Sequence, residues 1–419
     1  LFLQFLEVNN LFALVDSNQP HILNSEYGMN FMKWILFVQV LFLSVAQAHE
    51  MESVSTTIHQ QYQSARALGM GGAFVAVAND YSALFYNPAG LARLDSTDLN
   101  LNLDLAASPE IKGFLNDIDK AQKTSGTDSE KQAAIVKVLE KNYGKVYGIR
   151  VGAPQAIWAR PGWAIGIIPM DLTVQMGVHS SVGPAVQTTV YADTTVAYGY
   201  ADRISCVTCG RLSWGVTGKA VHRGFFSQNV SFLELAADPN VVSKDDLVTG
   251  YTVDADAGLL WTPFIPEDGL FSLLDYAKPT FGLVVHNIAE TGFTSTHLFN
   301  KDSNDVPERL YRVFDIGSKW EYPSFWIFGG RGVLDVQNIG HPYFSWRKGI
   351  HAGFEFDWSV ASWWKGQYRA GISQGFWTAG ISAMFTIFNL DLVSYAEDVG
   401  SYSKPEENRI WMLRTSMNF

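Results

Sequence analysis

A hydrophobic period of two, recurring from residue 98 to the last residue, limits this chain more than any other feature. Leu99, Leu101, Leu103 and Leu105 alternate with Asn100, Asn102 and Asp104, so an extended segment here has one aliphatic face and one polar face. Val190, Ala192, Val196, Tyr198 and Tyr200 share a face of a second segment. In a third, Leu212, Trp214, Val216 and Ala220 oppose Ser213, Thr217 and Lys219. Near the end, Trp411, Leu413, Thr415, Met417 and Phe419 alternate with Met412, Arg414, Ser416 and Asn418. A β-sandwich in water hides its aliphatic face, whereas a barrel in lipid turns that face outward and encloses the polar one. Lys219 and Arg414, both opposite the apolar side, suit an enclosed polar lumen. Trp163, Tyr200, Trp214, Trp261, Trp320, Tyr322, Trp358 and Trp377 stand near segment ends, where interfacial girdles form.

Segments beginning near residues 98, 147, 163, 187, 211, 251, 279, 309, 323, 349, 367, 376, 388 and 408 predict a transmembrane antiparallel β-barrel of about 14 strands, an even number as in bacterial barrels. This keeps 163–181 whole across Pro169. With both ends of the barrel chain on the inner side, the outer connections become 106–146, 183–186, 226–250, 289–308, 336–348, 374–375 and 398–407. The inner turns include 321–323 and 386–388. The connection 262–278 is long where a short turn is expected.

Composition agrees. Charged residues are 17% of the chain, below the ~25% usual for soluble domains. A formal charge of −11 without a basic stripe excludes nucleic acid as the main partner. Met32 and Lys33 precede an apolar run, Trp34–Val45, that ends in Ala46-Gln47-Ala48. That is the layout of a secretory signal peptide over 32–48, cleaved after Ala48, with 1–31 an upstream over-extension of the reading frame. The run is too short for a helix across ~30 Å of hydrocarbon, and no later apolar stretch reaches ~18 residues.

Two regions break the strand pattern. In 106–146, Ser108 and Pro109 suit an N-cap and first helical position, with Ile111, Phe114, Leu115 and Ile118 following at helical spacing. After a polar linker, Ile135, Val138 and Leu139 mark a second helix. This helical outer loop is either a cap on the barrel mouth or a lid and landing surface beside an apolar pocket.

The other region, 65–94, reads ARALGMGGAFVAVANDYSALFYNPAGLARL. Gly69, Gly71 and Gly72 with neighbouring alanines allow close packing. Asn79 or Asp80 can cap a short helix, and Asn87 a second one with Pro88 in its first position. This run resembles the N-terminal signature of outer-membrane barrels related to FadL-type long-chain fatty-acid transporters, nearest the PorV-type and TraF-like branch. The closing strands, Gly349–Phe419, share the likeness. The resemblance implies an N-terminal hatch, 49–97, inside a barrel formed by 98–419, with Gly69, Gly71, Gly72, Asn87, Pro88 and Ala89 as hatch residues. It also implies a Gram-negative outer-membrane location and passive passage of hydrophobic small molecules such as long-chain fatty acids. A PorV-type protein would instead be a non-transporting scaffold for secretion, with 226–250 and 289–308 as docking loops. The terminal Phe419, preceded by Trp411, Leu413 and Met417, resembles the signal read by the barrel assembly machinery. The expected partners are therefore that machinery, outer-membrane lipid and a hydrophobic small-molecule ligand.

Catalytic signals are weak. Gly69–Gly72 lacks the Lys of a phosphate loop. Gly371-Ile-Ser-Gln-Gly375 has nucleophile-elbow spacing, but Ser373 is followed by another strand rather than a helix. Cys206 and Cys209, the only cysteines, suit a disulfide between two strands better than a four-ligand zinc site. The nine histidines are scattered, and Asp254 and Asp256 share a strand face with Thr252 as lumen polar groups. No enzyme activity, metal or cofactor is expected.

Overall fold

In a computed structural model of the chain, the described residues are 57–179, 185–206, 210–231, 247–265, 277–296, 305–325, 328–361, 363–400 and 405–419. The expected signal peptide and leader, residues 49–56 of the expected hatch, Cys209, and parts of both proposed docking loops (232–246 and 297–304) lie outside them.

Among the described residues fourteen long strands form one antiparallel sheet closed on itself. They are β1 (Asp98–Ala107), β2 (Val146–Arg160), β3 (Trp163–His179), β4 (Ala185–Ile204), β5 (Arg211–Ser231), β6 (Val248–Thr262) and β7 (Thr280–His286), then β8 (Val313–Phe325), β9 (Phe328–Ile339), β10 (Ile350–Ala361), β11 (Trp364–Ser373), β12 (Phe376–Phe385), β13 (Phe388–Asp398) and β14 (Glu407–Asn418). Each strand pairs with its sequence neighbours, and β1 pairs with β14. Leu99 and Phe419 exchange both backbone hydrogen bonds at that seam, 3.0 and 3.1 Å. Closure leaves no unpaired sheet edge, which a wall in lipid requires.

The expected alternation decides the orientation of every strand. Leu101, Leu103, Leu105, Val196, Tyr198 and Leu413 are exposed on the outside, while Asn102, Asp104, Thr195, Lys219 and Arg414 are buried inside. Aromatic pairs run along the short-turn end of the outer wall: Trp158 with Trp163, Tyr200 with Trp214, and Phe281 between Trp261 and Trp320. This is the belt expected at a lipid–water boundary.

The strand starts agree with the sequence reading to within a few residues. Pro169 lies inside β3 as expected, and the β2–β3 ladder lapses between Gly152–Asp171 and Ala156–Ile167. Pro169 and Pro154, neither of which can donate a backbone hydrogen bond, sit in that lapse. The inner turn expected at 321–323 is displaced, because β8 runs through to Phe325. Gln374 and Gly375 both have positive φ (54° and 86°) and form the tight outer hairpin expected there.

The outer helical loop contains α3 (Ile111–Gln122) and α4 (Asp128–Lys141), which follow two short helices of the N-terminal segment, α1 (Ala65–Gly69) and α2 (Ala83–Tyr86). Its start differs from expectation. Glu110 rather than Ser108 is the N-cap, because Ser108 Oγ instead accepts from Gly148 N and donates to Asn408. A Thr127–Glu130 capping box starts α4. The hairpin packs Ile111, Phe114, Ile135 and Leu139 against Tyr147 and Val178, with Met176 and Val186 alongside. Those wall residues have the outward parity of Leu105, so the hairpin covers the outside of β2–β4 instead of capping the mouth. The wall's apolar face continues above the aromatic belt here, and the amphipathic pair shields it from water.

Candidate functional site

The lumen is occupied by residues 57–97. Their apolar side chains, among them Met70, Phe74, Leu84 and Leu91, form a buried cluster with inward-facing Ile157, Ala164 and Ala197. Backbone groups of this segment are held by side chains of strands around the ring. Thr378 Oγ1 accepts from Gly71 N and donates to Gly69 O, at 3.0 and 3.1 Å. Asp335 Oδ2 accepts from Phe74 N and Val75 N, at 2.6 and 2.8 Å. His351 Nδ1 donates to Gly71 O, 2.7 Å, and Gln337 donates to Gly72 O, 2.8 Å. On the opposite wall, Thr217 donates to Leu84 O, 2.9 Å.

The expected segment residues take distinct places. Gly71 and Gly72 have φ of 71° and 83°, a left-handed conformation that glycine adopts without strain. Gly69 lies against Gly380. Asn87 caps the 3₁₀ turn Pro88–Arg93 by accepting from Ala89 N, and its amide donates to Val75 O and Leu259 O, 2.8 and 3.3 Å. Pro88 and Ala89 lie directly on Gly215 of β5.

Sequence reasoning missed the matching wall glycines. Gly215, Gly258, Gly282, Gly353 and Gly371 all hold inward positions, and a Cβ at any of them would run into the lumenal segment. At Gly371 it would lie 2.5 Å from Gly71 N, and at Gly282 2.7 Å from Val75 O. The available signal was glycine at the inward parity of alternating strands, where a barrel lumen would otherwise favour polar side chains.

Buried charges complete the lining. Arg414 holds Asp104 across the β14–β1 seam through two 2.6 Å contacts. Arg150 pairs with Asp171, and Arg223 with Asp193 through 2.8 and 2.7 Å contacts. Lys219 pairs with Asp256, whose other neighbour, His286, also reaches Asp315. Glu355, fully buried, receives Arg66 from the lumenal segment at 2.8 and 2.7 Å and Arg369 from β11 at 2.8 Å. Charges so deep persist only when paired. Of the expected lumen polar groups, Asp256 is one of these ion-paired residues. Asp254 accepts from the backbone of Ala289 and Thr291, 2.9 and 3.3 Å.

A cavity of about 150 Å³ lies on the outer side of this segment. Its floor is His59, Tyr62, Phe85 and Tyr86, and its walls include Tyr191, Tyr311 and Tyr343. His59 stacks on Tyr191 at 3.9 Å, and its Nε2 lies 3.1 Å from Asp193. Burial holds the His59 imidazole below its ordinary pKa, helped by the Arg223 and Arg150 charges and opposed by Asp193. Gln61 Nε2 and Asn287 Oδ1, on residues lining the cavity, are buried and have no hydrogen-bond partner among the described residues. The expected apolar pocket beside the helical loop is therefore replaced by a mixed aromatic and polar one, and no residue of 108–145 lines it. The hairpin has already used its apolar face on the outer wall.

Trp411, Leu413, Met417 and Phe419 all lie exposed on the outer face of β14 and at its end. Ser373 Oγ lies 3.3 Å from His351 Nδ1, but that nitrogen already carries the proton donated to Gly71 O and cannot take one from the serine.

No family model matches the chain, and no curated protein matches it. Among solved structures it is similar to the CymD monoaromatic hydrocarbon channel (10% identity, 84% of this chain and 96% of that one, TM-score 0.44). It is similar also to the Ralstonia pickettii toluene transporter TbuX (10%, 84% and 97%, 0.45) and to a Pseudomonas aeruginosa FadL homologue (11%, 84% and 97%, 0.40). At these values the likeness carries no argument about what this chain binds.

Proposed function

We propose that the chain is a Gram-negative outer-membrane barrel giving passive passage to hydrophobic small molecules, with residues 57–97 as the hatch that gates it. The observation carrying this reading is that the outer cavity rests on the hatch itself, through His59, Tyr62, Phe85 and Tyr86. A ligand seated there touches the element that must move. At about 150 Å³ the resting cavity has room for a ring-sized molecule against its aromatic side chains but not for a whole long acyl chain. The signal peptide, the lipid surroundings and recognition of the Phe419 end by the assembly machinery belong to this proposal, as does a Cys206–Cys209 disulfide at the inner turn.

The test is uptake of a labelled single-ring hydrocarbon by intact Gram-negative cells expressing the barrel. Uptake above that of cells lacking it is expected, with loss when Tyr191 and Tyr311 are both replaced by alanine. Equal uptake with and without the barrel would end the transport reading.

One observation favours a second reading, a non-transporting scaffold of the PorV-type or TraF-like kind. The hatch is pinned to β9–β12 by Asp335, Glu355 and Thr378, which suits a permanent plug. Recovery of secreted proteins bound to a barrel that passes no small solute would support it.

A further inference from the structure

Ten of the fourteen arginines of the chain have a carboxylate within salt-bridge reach among the described residues. The other four are Arg93, Arg160, Arg203 and Arg211, and all stand at the short-turn end of the barrel. Arg160 lies over the Trp163 ring on the outer wall. The remaining three converge on the inner mouth of the lumen.

Arg203 and Arg211 carry the inward parity of Asp193 and Lys219, so they face the mouth and not the lipid. Arg203 pairs with Ser213 across β4–β5, and Arg211 with Thr262 across β5–β6. Arg93, at the end of the hatch, reaches into the same corner. Its guanidinium donates to Ser213 Oγ (3.2 Å), Thr262 Oγ1 (2.8 Å), and the carbonyls of Arg211 and Leu260 (both 2.9 Å). Arg203 Nε donates to Ala92 O, 2.8 Å, beside it. Among the described residues every acceptor of Arg93 is neutral. The acid next to Arg203, Asp202, has the opposite, outward parity and accepts from the Arg203 backbone. Burial, with the Arg211 and Arg203 charges added, brings Arg93 down to about 10. Among the described residues these three like charges have no salt-bridge partner, in a protein that balances its deeper charges pair by pair.

We infer that Arg93, Arg203 and Arg211 form an oxyanion site at the inner mouth, taking the carboxylate of a cargo molecule as it leaves the lumen. The site rests on the passage reading and deepens it, since among hydrophobic molecules that pass, those carrying a carboxylate would be held at the mouth and bare hydrocarbons would not. An arginine pair can hold a carboxylate through charge-assisted hydrogen bonds. The lumen-facing parity of Arg203 and Arg211 favours a departing cargo over a lipid headgroup.

The experiment uses the full chain in nanodiscs of zwitterionic lipid, with benzoate, benzyl alcohol and inorganic phosphate titrated calorimetrically. Benzoate should bind, and the double variant Arg203→Gln/Arg211→Gln should weaken it about tenfold or more while benzyl alcohol is unchanged. Arg203→Lys/Arg211→Lys, which retains the charge, should recover most of the loss. Benzoate binding that the Gln variant leaves intact would overturn the site. Phosphate binding as tightly as benzoate would overturn the cargo assignment. Because binding is read without transport, failure of cellular uptake alone would remove the passage reading and leave the site standing.

Discussion

The two sides of the hatch are attached to the barrel in different ways. Toward β9–β12 it is held by backbone against backbone and by buried charge: Gly71 on Gly371, Phe74 and Val75 amides on Asp335, Arg66 on Glu355. Toward β4 and β5 its inner part also rests by backbone on Gly215, but its outer part, His59, meets Tyr191 and Asp193 beside an open cavity. Glycine contacts cannot yield without moving main chain, whereas a stacked imidazole can be lifted and replaced by another ring. The rigid side would act as a hinge line and the aromatic side as the part a ligand displaces.

Breaking the rigid side should have the largest effects. Glu355→Gln leaves Arg66 and Arg369 facing a neutral amide in a fully buried position, and should cost about 3–5 kcal/mol, read as a lower urea midpoint for the folded barrel. Gly371→Val drives a Cβ into Gly71 N and the Met70 carbonyl carbon, 2.5 and 2.7 Å away. Overpacking of this kind costs about 1–3 kcal/mol and should reduce the folded band on unheated SDS gels. Thr378→Val removes the acceptor for Gly71 N and the donor to Gly69 O, for about 1–2 kcal/mol in the same urea assay.

The aromatic side should respond weakly in stability and strongly in binding. Tyr311→Ala should change the urea midpoint by less than about 0.5 kcal/mol equivalent while lowering affinity for a ring-sized probe. His59 supplies the pH dependence. Its folded pKa is below the unfolded value of about 6.5, so its neutral burial is without cost above that pH. Stability is lost as the pH falls below about 6.5 toward the folded value, because the unfolded chain then binds more protons. On going from pH 7 to pH 5 the hatch's N-terminal part should lose hydrogen-exchange protection relative to the intrinsic amide rate at each pH, and His59→Gln should abolish that change.

Much of the barrel was legible because period-two alternation fixes which side of each strand meets lipid, and tight turns such as Gln374–Gly375 carry local signals. The lumenal segment could be placed from the Asn87-Pro88-Ala89 run only by its resemblance. The cavity was not legible. His59, Tyr191, Tyr311 and Tyr343 are far apart in sequence, and nothing local to any of them marks a shared site. The helical hairpin misled for a related reason. Its amphipathic pattern shows that it covers an apolar surface, but which face of the wall it covers is decided by the parity of Tyr147 on β2 and Val178 on β3.

The central claim is that the hatch and the cavity above it form one gate. It is tested most directly by hydrogen exchange on the intact barrel in lipid, with and without a saturating single-ring ligand. Faster exchange in residues 57–62 with no change at Gly71–Val75 is the result this account predicts. Uniform protection of the whole segment, unaltered by ligand, would contradict it.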